Sequence, residues 1–141
     1  MIELKKIPTW LPVVAAAITR EDGCLLMRQR PAGKHHGGLW EFPGGKVEAH
    51  ETPAFALVRE VEEELGLLLD PAALSPAAFA ESTAGDAAAP IVILLYRAAG
   101  WRGEPVAREG GDWGWFSTRE VARLAKPPLD VDLFGQLVAR S

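Results

Sequence analysis

At 141 residues the chain is long enough to enclose one hydrophobic core and too short for two domains. Its 48% hydrophobic and 24% charged residues exclude a disordered chain, and a net charge of −4 disfavours a nucleic-acid polymer as partner, which would select a basic face. That charge does not exclude a free nucleotide, because metal ions can supply positive charge locally.

The first twenty residues mimic a short secretory signal: Lys5-Lys6 precede an apolar run to Ile18 that contains Ala15, Ala16 and Ala17. Pro8 and Pro12 interrupt the run and no polar cleavage region follows, so a cytoplasmic location is the expectation. No stretch reaches the ~18 apolar residues of a membrane span. Residues 13–20 read as a buried strand, Asp22-Gly23 as a turn, and residues 24–29 as the returning partner strand, ending on the charges of Arg28-Gln29-Arg30. The lone cysteine, Cys24, excludes an internal disulfide framework and reads as a small core residue in a reducing compartment.

Residues 31–38 form a loop by composition. His35 and His36 in it lack ligand spacing for a metal and read as exposed, with substrate contact as the alternative. The run Leu39-Trp40-Glu41-Phe42-Pro43-Gly44-Gly45 ends in two glycines, which let a backbone approach a ligand or take positive φ. A free carbonyl there can coordinate a hard ion.

An amphipathic helix follows. Thr52 stands as N-cap, Pro53 as first helical residue and Gly66 as left-handed C-cap, with Leu67 closing the cap by apolar contact. Ala54, Leu57, Val58, Val61 and Leu65 recur at helical spacing as one apolar stripe. The same period places Glu60, Glu63 and Glu64 along one edge and turns Glu62 away. Like charges at this spacing repel by roughly 0.2–0.5 kcal/mol per pair. A solvated acidic face is the plain reading of such a run, and a divalent cation shared with substrate phosphates is the one that explains the repulsion.

Beyond the helix, residues 68–76 read as a connector, 77–83 as a strand, 84–90 as a small-residue loop and 91–97 as a central strand. Residues 100–108 give a turn and a short extended piece. Glu109 and its neighbour Asp112 are loop acids, and Trp113, Trp115 and Phe116 alternate as a core-packing strand does. Ser117 caps a short helix to Leu124 with Glu120 completing a capping box, and Pro127-Pro128 breaks it. Residues 130–140 form a last helix with Leu133, Phe134, Leu137 and Val138 inward. This order predicts an α/β chain with a mixed sheet between helices.

The spacing of Gly45, Glu51, Arg59-Glu60-Val61, Glu63-Glu64 and Gly66-Leu67 resembles the signature box of the Nudix hydrolases at every fixed position. With LWEFPGG before it and WRGEPVAREGG after it, the chain is similar to the MutT branch of that family. The resemblance implies one domain over residues 1–141 with its box at 45–67, a mixed sheet sandwiched between helices, and a small-molecule nucleotide substrate. It implies neither nucleic-acid polymer nor membrane as partner, and a monomer or homodimer. The implied reaction is hydrolysis of a nucleoside triphosphate, oxidised or modified, to monophosphate and pyrophosphate with Mg²⁺ or Mn²⁺. Glu60, Glu63, Glu64, Glu109 and the Gly44 carbonyl are then the metal ligands and Glu60 is favoured as base. Arg59 orients Glu63, while Gly45, Gly66 and Glu51, the last on another face of the helix, support the box. Arg30 and Phe42 become substrate contacts. At the position of Asp130, MutT enzymes that act on oxidised guanine carry an asparagine that reads the base, while members of the branch with Asp there include pyrimidine-preferring ones. A carboxylate suits a cytosine amine, so a CTP or modified-pyrimidine hydrolase is the alternative, unless Asp130 only caps its helix. A nucleotide-binding module without catalysis is the other class; such modules usually lose box carboxylates, and this box is complete.

Overall fold

The computed structural model describes residues 9–82 and 89–140; the Lys5-Lys6 segment, Thr83 and most of the 84–90 loop lie outside them. Strand β1 (Leu11–Ile18) occupies the middle of the molecule because both of its faces are apolar. Val14, Ala16 and Ile18 pack into one cluster with Ala56, Leu57, Val61 and Leu65 of helix α1 (Pro53–Leu65). Ala15 and Ala17 enter a second cluster with Leu133, Phe134 and Leu137 of helix α3 (Pro128–Ala139). The expected helix–sheet–helix layering follows from that double burial.

The main sheet is mixed and four-stranded. Strand β7 (Ile91–Ala98) runs parallel to β1 in continuous register from Leu11↔Ile91 to Ile18↔Ala98, which makes the apolar IVILLYR run central as its composition requires. On the other edge of β1, β4 (Gly44–Lys46) pairs antiparallel with Val14 opposite Gly45 and Ala15 opposite Gly44. Strand β6 (Leu74–Glu81) closes the far edge beyond β7. A second, antiparallel sheet places β2 (Leu25–Gln29) between β3 (Trp40–Glu41) and β9 (Trp113–Phe116). A small ladder joins β5 (Leu68–Leu69) to β8 (Trp101–Arg102).

Several expectations change here. The strands on either side of Asp22-Gly23 do not form a paired hairpin; they meet at one bridge, Thr19↔Leu25, and part into different sheets. Both edges of β1 are already taken, by β4 and β7, so β2 must pair elsewhere. Cys24 lies half-buried at that turn rather than in the core. Residues 68–76 are not a plain connector: they hold β5, a 3₁₀ turn capped by the Asp70 carboxylate, and the start of β6. Pro76 is accommodated because β6 is an edge strand with a bulge between Pro76 and Ala78. Ala56 is fully buried where Ala54 was expected to lead the stripe. Val138 is 40% exposed, whereas Asp130 points inward. Helix α2 (Thr118–Arg123) carries the full Ser117–Glu120 capping box. Among the described residues, no helix is long and apolar enough to cross a membrane.

Candidate active site

Helix α1 is fixed at both ends by its own sequence. The Thr52 hydroxyl accepts the Phe55 amide at 3.3 Å, and Gly66 at φ 68° donates its amide to the Glu62 carbonyl. The buried stripe against β1 then sets the rotation of the helix. With that rotation, Glu60, Glu63 and Glu64 descend along one edge from open to enclosed: their side chains are 51% (Glu63), 17% (Glu60) and 6% (Glu64) exposed. Glu62 faces solvent.

This edge meets the glycine turn. The Gly44 amide donates to Glu64 Oε1 at 3.0 Å. A Cβ at Gly44 would overlap the Val14 carbonyl, and one at Gly45 would overlap the Glu60 carboxylate. Neither glycine has the positive φ that was one expected use; each is required by close approach to the chain's own groups, the Val14 carbonyl and the Glu60 carboxylate.

Arg59 ties the turn to the helix. Its guanidinium donates to both oxygens of Glu51 at 2.6 and 2.8 Å, to the Lys46 carbonyl at 3.1 Å, to Glu60 Oε1 at 3.0 Å and to Glu63 Oε2 at 3.2 Å. Glu51 is not on another face of the helix, as the spacing suggested, but in the loop before it, where it also accepts the Glu48 amide at 2.9 Å. The bidentate bond from Arg59 holds the Glu51 carboxyl down at about 2.

Two residues that the sequence did not single out complete the enclosed end. Arg28 Nη1 lies 3.1 Å from Glu64 Oε2 and 3.3 Å from Glu41 Oε1. Glu41 Oε2 accepts from Arg30 Nε at 2.9 Å. The signal was present: Arg28 lies in β2 and Arg30 just past its end, two positions on, a spacing that puts both on one face where the chain stays extended. Burial drives the Glu64 carboxyl up to about 8; Arg28 and the Gly44 amide oppose that rise, and Glu41 and Glu109 add to it. Glu60 is also raised, first by burial, with Arg59 opposing and Glu63 and Glu109 adding.

Glu109 is thus electrostatically part of the group. Its loop is fastened to the last turn of α1 by Val106 N to Leu65 O and Arg108 N to Glu64 O, both 2.9 Å, and by Arg108 Nη1 to Glu62 O at 3.2 Å. Asp112, the competing loop acid, turns its carboxylate to the Trp113 amide at 2.8 Å.

Of the residues expected to contact substrate, Arg30 is half-exposed and bonded to Glu41. The Phe42 ring is buried in the cluster around α3, and the Phe42 amide donates to Asp130 Oδ2 at 3.1 Å. Asp130 does not cap α3; Pro127 holds that position and Asp130 lies in the first turn. At 6% exposure, Asp130 is driven up to about 7 by burial, opposed by the Phe42 amide. His35 and His36 are exposed in their loop with ring centroids 3.9 Å apart. A cleft of about 550 Å³ opens elsewhere, at residues 19–22 and 99–101, and includes none of these side chains.

The donor set suits a hard dication: carboxylate oxygens crowded enough that burial and one another's charge raise two of them. Among the described residues no three acidic, histidine or cysteine side chains already converge as ligands. Their oxygens are directed at Arg28, Arg59 and the Gly44 amide instead.

Comparison with known proteins gives a consistent result. The sequence profile of the NUDIX domain matches residues 9–135. The CTP pyrophosphohydrolase of Escherichia coli K12 is 35% identical over 135 residues, covering 89% of this chain and 90% of that one. The 8-oxo-dGTP diphosphatase of Haemophilus influenzae is 34% identical over 128 residues, with 91% of each chain covered. A solved MutT structure, of Aliivibrio salmonicida or Vibrio cholerae, superposes with a TM-score of 0.80 at 29% identity, covering 94% of this chain and 100% of that one.

Proposed function

The chain belongs to the NUDIX domain family, and on that premise we propose that it is a MutT-type hydrolase dependent on Mg²⁺ or Mn²⁺ that cleaves nucleoside triphosphates to monophosphate and pyrophosphate. The observation that carries this reading is the closure of the acidic edge of α1 onto the glycine turn, with Gly45 vacating the space that the Glu60 carboxylate fills. Glu60, Glu63, Glu64, Glu109 and the Gly44 carbonyl would hold the metal, and Nudix hydrolases generally use such an ion. When bound, it neutralises phosphate oxygens and makes water a better nucleophile.

The chain's own groups do the rest. Arg59 holds Glu60 and Glu63 in a fixed mutual position and is itself held by Glu51. Glu60, enclosed and raised in pKa, is placed to accept a proton from the attacking water. Arg30, half-exposed beside the turn, contacts the nucleotide, and its guanidinium is suited to phosphate. Asp130 and the Phe42 amide together face the base. Raised to about 7, the Asp130 carboxyl is available both as acceptor, for the amine of a cytosine, and as donor, for a modified purine. That double capacity supports two substrate readings, an 8-oxo-dGTP hydrolase and a CTP or modified-pyrimidine hydrolase, within one role of sanitising the cytoplasmic nucleotide pool.

The test is kcat/KM with Mg²⁺ for 8-oxo-dGTP, dGTP, CTP and 5-methyl-dCTP, with ADP-ribose as control. Preference for any of the triphosphates supports the assignment, and a pronounced preference for ADP-ribose defeats it. Glu63→Gln, at a half-exposed position where folding is not at stake, is expected to lose roughly 10²-fold or more in kcat, as loss of an electrostatic group at the reacting centre does. Near-normal turnover of that variant would remove Glu63 from the site.

A further inference from the structure

Arg28 and Glu41, at the enclosed end, have no part in the reaction as described. Arg28 reaches it from β2, directly opposite Glu41 in the β2–β3 ladder. Its side chain is 9% exposed, and the carboxylates it touches are 13% (Glu41) and 6% (Glu64) exposed. A single nitrogen, Nη1, serves both, at 3.3 Å from Glu41 and 3.1 Å from Glu64. The remaining oxygens are also engaged, Glu41 Oε2 by Arg30 and Glu64 Oε1 by the Gly44 amide. This is not a surface ion pair. Removing the guanidinium would leave the enclosed Glu64 without its cationic partner, while Glu41 keeps Arg30. At Glu64 it occupies the oxygen that a hard dication would have to claim.

From this geometry we propose that Arg28 is a positioning residue that serves as the internal counter-cation of the metal site: it holds Glu64 while no metal is bound, and Glu64 Oε2 must give it up as the dication enters. The inference rests on Glu64 being a metal ligand. Arg28 therefore acts in two opposed directions, stabilising the metal-free protein and lowering its affinity for the ion. A guanidinium stays charged at every working pH, so Arg28 does not leave the contact by losing its proton. The chain Arg30–Glu41–Arg28–Glu64 also places the nucleotide contact and the metal ligand at the two ends of one set of ion pairs.

The experiment measures Mn²⁺ binding to the full chain without nucleotide, by the electron paramagnetic resonance signal of free Mn²⁺, together with thermal unfolding in chelator. Arg28→Met is expected to melt on the order of 10 °C lower in chelator, to bind Mn²⁺ about tenfold more tightly and to recover its melting temperature when Mn²⁺ is added. Glu41→Gln removes a negative charge and leaves Arg28 to Glu64 alone, so it should bind Mn²⁺ more weakly. The two variants thus move affinity in opposite directions, and Arg28→Lys falls between wild type and Arg28→Met. An Arg28 with a merely structural role would lower stability without tightening Mn²⁺ binding, and that result overturns the proposal. Should Arg28→Met not fold in chelator, an unchanged or tighter Mn²⁺ affinity of Glu41→Gln overturns it instead. Glu64→Gln separates the two readings. If it binds Mn²⁺ as wild type does, the ligand assignment fails and the role of Arg28 with it; if it weakens binding while Arg28→Met does not tighten it, only the role of Arg28 fails.

Discussion

Gly45 owes its identity to a carboxylate. Its φ is unexceptional, so the usual reason for a turn glycine does not apply; the constraint is that a Cβ would stand where Glu60 does. Glu60 is the flexible partner in that overlap, while the apolar stripe of α1 and the β1–β4 ladder are untouched by it. Gly45→Ala should therefore displace a side chain without disturbing the fold. A misplacement of ~1 Å at a catalytic group can cost about 10²-fold in rate, and kcat is expected to fall by about that much while far-UV circular dichroism stays that of the wild type. Turnover close to wild type would show that Glu60 works from another position. At this scale the sequence was informative about which residues matter and silent about why. The fixed positions of the box were readable as a pattern. That Glu51 reaches Arg59 from the loop rather than from the helix, and that Arg28 and Glu41 enclose Glu64, depends on side-chain contacts that no spacing rule encodes.

At the scale of elements, the parts legible in the sequence are those whose causes are local. Thr52, Pro53 and Gly66 bound α1 where capping chemistry puts them, and Ser117 with Glu120 does the same for α2. Strand pairing was less legible, since a partner is chosen by what else is available: β2 looked like the return of a hairpin and instead joined β3 and β9 because β1 had no free edge. Gly66 links the two kinds of constraint. It ends α1 at φ 68°, and a Cβ there would come within 3.0 Å of the Arg108 guanidinium, which itself bonds the Glu62 carbonyl. Gly66→Ala is expected to cost roughly 1–2 kcal/mol, from the left-handed backbone together with the displaced Arg108. Urea unfolding monitored by tryptophan fluorescence measures it. Since Arg108 precedes Glu109, the same variant should weaken Mn²⁺ binding; a loss of stability with unchanged Mn²⁺ affinity would detach the Glu109 loop from the metal site.

For the whole molecule, one contact that joins distant parts of the chain is the Phe42 amide to Asp130 Oδ2, 88 positions apart in sequence. Helix α3 packs on the face of the sheet opposite α1, and this bond pins it to the segment that leads into the glycine turn. The contact could not be read from the sequence, where Asp130 looked equally like a helix cap, because only the packed layers bring it to Phe42. The burial of Asp130 there makes stability depend on pH. Burial drives the Asp130 carboxyl up to about 7, against about 4 in an unfolded chain. Between those values the folded protein retains a proton that the unfolded chain has released. The unfolded state then binds fewer protons, so the free energy of unfolding falls as pH rises across this window, by at most about 1.4 kcal/mol per pH unit, and levels off above it. Glu64, raised to about 8, contributes with the same sign, so wild type alone cannot apportion the effect. Asp130→Asn removes one of the two groups while keeping an acceptor for the Phe42 amide. Urea unfolding at pH 5 and pH 8, in chelator, should show that this variant loses less stability between the two than wild type does. Equal losses would mean that Asp130 is already ionised in the folded protein at pH 5, and that its capacity to donate a proton to a bound base is absent as well.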